Sequence, residues 1–163
     1  QYAPEVTVLL FVGNYTNDDL WTGADGLPVA PDYSERFFDE WRLQATELSR
    51  ELQATGTQVY WVLPPPFYGD EGARRERLLR DAYLQVARDV PGVGLIDGRA
   101  ALGGTNGEFV WELPSLDDGA PVPVRQGDSL HVTPDGGERL AAQMVTELSP
   151  LLTELRQQRS VNP

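Results

Sequence analysis

Apolar positions along the chain fall into short continuous runs separated by longer stretches with helical spacing. Val6-Thr-Val-Leu-Leu-Phe-Val12 is an unbroken, partly β-branched run that stops at Gly13, and such a run predicts a strand buried on both faces of a parallel sheet. A polar loop with Gly and Pro covers residues 14–31. Phe37, Trp41, Leu48 and Leu52 then recur at helical spacing, which predicts a helix over residues 33–54, with Asp32 as N-cap and Gly56 just past its end. Gln58–Leu63 reads as a second strand, stopped by Pro64-Pro65-Pro66. Leu78, Leu79, Ala82, Tyr83 and Val86 mark one side of a second helix over roughly residues 73–90, and residues 93–97 form a short third strand. Residues 100–125, rich in Gly, Pro and Asp, predict a long loop with an extended stretch at 109–113. The last helix starts with Thr133 as N-cap and Pro134 in its first turn, and carries Leu140, Ala141, Met144, Val145, Leu148, Leu151, Leu152 and Leu155.

Strands alternating with long amphipathic helices predict an α/β fold: three α/β/α layers around a mostly parallel sheet. Ligands in such folds sit at the carboxyl ends of the strands. Three loops qualify: the one opening at Gly13-Asn14, the one after Pro64, and the turn at residues 127–131. A length of 163 residues suits one domain with a single core.

Composition narrows the function classes. Apolar residues make up 40% and charged residues 23%, as in a globular chain, and no apolar run approaches the roughly 20 residues a membrane span requires. The net charge of −12 repels phosphate backbones and anionic lipid surfaces, so a nucleic-acid partner is not expected. With no cysteine there is no disulfide, thiolate nucleophile or zinc–thiolate site.

The chemistry concentrates in Gly127-Asp-Ser-Leu-His-Val-Thr-Pro-Asp-Gly136, which holds the sole histidine, His131. An aspartate three residues before a histidine, in a turn just ahead of a helix, can accept from one imidazole nitrogen. It thereby fixes the tautomer and stabilises the imidazolium when the other nitrogen takes a proton. The alternative is a surface histidine whose Asp neighbour only caps the turn.

Asp128, His131, Thr133-Pro134-Asp135-Gly136 and Leu140-Ala141 together resemble the last block of the SGNH (GDSL-like) hydrolases. In that family the Asp and His of this block complete a Ser-His-Asp triad. Pro4-Glu-Val-Thr-Val-Leu-Leu-Phe-Val-Gly-Asn14 is similar to the family's third block, whose asparagine donates to the oxyanion; a neutral amide suits that task because it does not titrate. Gly94-Leu-Ile-Asp97-Gly-Arg-Ala-Ala-Leu102, Gly107-Glu-Phe-Val-Trp-Glu-Leu-Pro114 and Val124-Arg125 resemble an actinobacterial-type branch that includes domains attached to membrane acyltransferases. The resemblance implies a flavodoxin-like SGNH fold with His131, Asp128 and Asn14 as catalytic residues and neither cofactor nor metal. The implied reaction is hydrolysis or transfer of a small acyl ester, acetyl first, of a carbohydrate or lipid, in an extracellular or cell-envelope setting. Asp97 reads as a loop or cap residue, and Arg125 as a surface residue unless it holds the loop or a substrate oxygen.

Gly127-Asp128-Ser129-Leu130 spells the letters of the family's nucleophile motif. That motif follows the first strand, however, and Ser129 comes late and only two residues from His131, so Ser129 reads as a turn residue. The first two blocks, with the nucleophilic serine and an oxyanion glycine, are then expected before Gln1, and the sheet is expected to lack its first strand. Three explanations fit: the chain is the C-terminal part of a larger domain, which Gln1 as a start favours; a partner chain completes the sheet by strand addition; or the fold persists without the chemistry. The rival reading is a non-catalytic binding domain. Trp21, in the loop at 14–31, is read either as a sugar platform or as part of a packed lid.

Overall fold

The computed structural model describes residues 4–11, 21–29 and 33–161. Its elements run β1 (Val6–Leu9), β2 (Trp21–Thr22), β3 (Pro28–Val29), α1 (Glu35–Ala54), β4 (Gln58–Leu63), α2 (Gly69–Asp89), β5 (Gly94–Asp97), α3 (Gly98–Leu102), β6 (Glu112–Pro114), β7 (Pro121–Pro123) and α4 (Pro134–Val161). The main sheet is parallel with order β1-β4-β5. Val8 lies opposite Tyr60, and Tyr60 opposite Gly94.

The central strand β4 explains the layers. Successive side chains point to opposite faces, so Val59, Trp61 and Leu63 join Phe37, Phe38 and Ala45 of α1 and Leu79, Tyr83 and Val86 of α2 in one core. Tyr60 and Val62 face the other core, with Ala101 and Leu102 of α3 and Leu140 and Leu148 of α4. Helices thus cover both faces of a parallel sheet, the three-layer α/β/α arrangement expected from the pattern. Buried polar atoms in the first core are paired: the Trp61 Nε1–H donates to Ser49 Oγ at 2.9 Å, and the Ser49 hydroxyl donates to Ala45 O at 2.7 Å. The Tyr83 hydroxyl accepts from Trp41 Nε1 at 3.1 Å and donates to Phe11 O at 3.2 Å, tying both helices to the carboxyl end of β1.

Several expectations are corrected. Val6, Thr7, Val8 and Leu9 are half-buried rather than fully buried: Leu9 packs on one core and Val6 and Val8 on the other, while among the described residues β1 pairs with β4 alone. Helix α1 begins at Glu35 with Ser34 as its cap, the Ser34 Oγ accepting from Phe37 N at 3.2 Å. Tyr33, at φ 56°, is left-handed and so stands outside the helix; Asp32 lies outside the described residues. Helix α2 starts four residues early, at Gly69, which places Asp70 and Glu71 in its first turn where they meet the positive end of the helix dipole. The expected loop over 100–125 contains the end of α3 and the antiparallel pair β6–β7.

Candidate active site

The turn that carries His131 is anchored on both sides. Arg125 and Val132 form an antiparallel bridge, and Gln126 N donates to His131 O at 2.8 Å. The Thr133 hydroxyl donates to Pro123 O at 2.6 Å and accepts from Gly136 N at 3.1 Å, capping α4 as the Thr-Pro pair predicts. Gly136 has a separate reason to be glycine: a Cβ there would lie 2.3 Å from the Val124 carbonyl oxygen. The first turn of α4 therefore packs backbone to backbone against the strand that leads into the His131 turn.

Within the turn, Asp128 uses both carboxylate oxygens. Its Oδ1 accepts from Leu130 N at 3.0 Å and His131 N at 2.9 Å, while Oδ2 lies 2.6 Å from His131 Nδ1. The His131 side chain, reinforced by the two backbone N–H groups, lowers the Asp128 carboxyl to about 2. An ionised carboxylate only accepts, so Nδ1 carries the proton and Nε2 is the nitrogen that can exchange one. The sequence thus brings Asp128 and His131 together in the geometry its spacing suggested. Asn14 lies outside the described residues. Ser129 is left-handed at φ 63°, and its hydroxyl donates to the Asp128 carbonyl at 2.5 Å, as befits a turn residue.

A cleft of about 340 Å³ adjoins the turn. Ser129 and Leu130 form one edge, Phe11 comes from the end of β1, Phe67 and Tyr68 from the segment after β4, and Tyr33, Phe38 and Trp41 close the aromatic floor. The cleft therefore lies at the carboxyl ends of parallel strands, where this class of sheet holds its ligands. The two non-glycine residues with positive φ among those described, Tyr33 and Ser129, both line it. The Arg75 guanidinium sits 3.9 Å from the Tyr33 ring centroid and bonds Glu71 at 2.9 Å. Hydrogen bonds from Arg74 and Arg75 hold Glu71 at about 2.

Arg125 is not the surface residue expected: it is 4% exposed. The bridge to Val132 turns it inward, where its Nη2 donates to Pro66 O at 3.1 Å and its guanidinium lies 5.5 Å from the Phe109 ring centroid. Burial lowers its pKa to about 10. Arg125 thus links the His131 turn to the loop after β4. Asp97 is the cap it was read as, its Oδ1 accepting from Arg99 N at 3.0 Å. Burial pushes its carboxyl up, but the Arg80 hydrogen bond and charge outweigh that and hold it below the ordinary range. The backbone of Trp21 pairs with Val29; its side chain lies outside what is described.

The sequence matches, over residues 1–147, a family described as "Protein of unknown function (DUF459)". The chain belongs to the DUF459 family. That family is SGNH/GDSL-hydrolase-like, in agreement with the resemblance carried by the Asp128–His131 block. No curated protein matches this DUF459 chain. Sequence reasoning did not find the aromatic walls of the cleft, nor the cluster of Tyr68, Phe109 and Trp111 beside it. Phe109 and Trp111 stand alternately in a glycine-rich segment, an exposed-loop pattern that could have signalled them.

Proposed function

We propose that this DUF459 chain contributes the acid–base half of an SGNH-type ester hydrolase or O-acyltransferase. The observation that carries the reading is the Asp128–His131 pair, joined at 2.6 Å on a turn that borders a cleft at the carboxyl ends of the parallel strands. His131 Nε2 takes the proton of a serine hydroxyl as that oxygen attacks the ester carbonyl, then returns it to the departing alcohol. The acyl-enzyme is resolved by water, or by an acceptor alcohol in the transferase, with the same proton movements. Asp128 keeps the imidazole in the productive tautomer, and Asn14 donates to the oxyanion. The resemblance places the nucleophilic serine in a block that precedes these 163 residues, and the hydroxyl of Ser129 serves its own turn. The acyl group is small, acetyl first, on a carbohydrate or lipid. A cleft of about 340 Å³ is at the small end of ligand sites, with room for such a group and the ring that bears it.

The test is turnover of p-nitrophenyl acetate by the full-length gene product and its His131→Ala variant. General acid–base catalysis predicts a fall in kcat of about 10²–10⁴-fold. Equal turnover by the two proteins removes His131 from the mechanism and overturns the proposal.

A further inference from the structure

Tyr68, Phe109 and Trp111 form a contiguous aromatic patch beside the cleft. Ring centroids lie 5.3 Å apart for Tyr68–Phe109, 5.7 Å for Tyr68–Trp111 and 5.0 Å for Phe109–Trp111. The two outer rings face solvent, Tyr68 60% and Trp111 43% exposed. Their scaffold is fixed: Val124 N donates to Trp111 O at 2.9 Å, Phe109 bridges to Gly103, and the buried Arg125 guanidinium lies against the Phe109 ring. Large rings held rigidly in water mark a binding surface, since little freedom is left to lose when a ligand arrives.

The position of Tyr68 ties this patch to the site already described. Its ring is part of the patch and also lines the cleft that Ser129 and Leu130 border. A ligand lying across Trp111 and Tyr68 therefore continues into the cleft beside the His131 turn. Charge selects among possible ligands: at a net −12 the chain repels polyphosphates and anionic lipid surfaces. A neutral sugar chain fits. The C–H face of a pyranose presents partly positive hydrogens to the negative face of an aromatic ring.

The geometry points to a carbohydrate subsite: the Tyr68–Phe109–Trp111 patch binds the sugar units next to the one whose ester enters the cleft. For the chemistry in the cleft this rests on the ester-hydrolase reading above, but binding to the patch requires neither the nucleophile nor His131. The experiment titrates the full-length gene product, its His131→Ala variant and its Trp111→Ala variant with xylohexaose, cellohexaose and chitohexaose, followed by calorimetry. At least one hexasaccharide binds wild type and His131→Ala equally, with a Kd near or below about 1 mM. Trp111→Ala, verified as folded by its melting temperature, binds that sugar at least about tenfold more weakly. No binding of any of the three sugars at about 10 mM overturns the inference, as does binding that survives both Trp111→Ala and Tyr68→Ala. Association with phosphatidylcholine vesicles that is lost in the same variants, without sugar binding, assigns the patch to a lipid surface and also overturns it. Sugar binding by a wild-type protein that does not hydrolyse p-nitrophenyl acetate would instead count against the ester-hydrolase reading alone.

Discussion

At the scale of single residues, Asp128 decides what His131 can do. Two backbone N–H groups and the imidazole share one carboxylate, so the turn itself holds the ring by Nδ1. Asp128→Asn keeps the shape but replaces an obligate acceptor with a group that can present an N–H to Nδ1, favouring the wrong tautomer. The expected outcome on the ester-hydrolase reading is a fall in kcat for nitrophenyl acetate of up to about 10⁴-fold, with a much smaller change in KM. A variant with unchanged kcat would show that the carboxylate only shapes the turn.

At the scale of elements, the start of α4 sets where the turn lies in space. A pair of adjacent glycines provides the measurement. Gly136 has the Val124 carbonyl 2.3 Å from where its Cβ would be, whereas Gly137 has nothing within 4 Å. Gly136→Ala must push the helix start off the strand, and should cost about 1–3 kcal/mol in denaturant unfolding while lowering turnover with the displaced His131. Gly137→Ala adds a methyl group to open helical space and should raise stability by about 0.4–1 kcal/mol. If both substitutions destabilise alike, close backbone packing is not why this helix begins with glycine.

At the scale of the whole molecule, acid sensitivity follows from carboxylates held at three places in the fold: Asp128 within its turn, Glu71 within α2, and Asp97 by Arg80 of α2. Asp128 and Glu71 are each lowered to about 2, and Asp97 is held below its ordinary value. All three shifts are downward, so each contributes stability that is complete above the ordinary carboxylate values of 3.8 and 4.5 and is lost as pH falls through the folded-state values. The melting temperature should therefore drop between about pH 4.5 and pH 2. Raising salt should shrink the share of Glu71 and Asp128, which are solvated, more than that of half-buried Asp97. Asp97→Asn should flatten the acid limb, and an unchanged limb in that variant would exclude the Arg80–Asp97 pair as a contributor.

Local pattern was sufficient for much of this molecule. β4 was legible because a five-residue apolar run, Val59–Leu63, ends in three prolines, and α4 because Thr133-Pro134 is a local start signal that needs no tertiary partner. The Asp128–His131 pair was legible for the same reason: three residues of separation in a turn fix the contact within the turn itself. Features that depend on distant segments were not legible. The burial of Arg125 beneath Phe109 and against Pro66 O arises from contacts between parts of the chain far apart in sequence. The cleft and the aromatic patch belong to that second group, because Phe11, Tyr68, Trp111 and Leu130 come from four separate segments. The sequence by itself determined the layered fold and the dyad, since both are set by periodicity and short-range geometry; only the tertiary structure decided what surrounds the dyad, since that depends on which loops the sheet brings to one end.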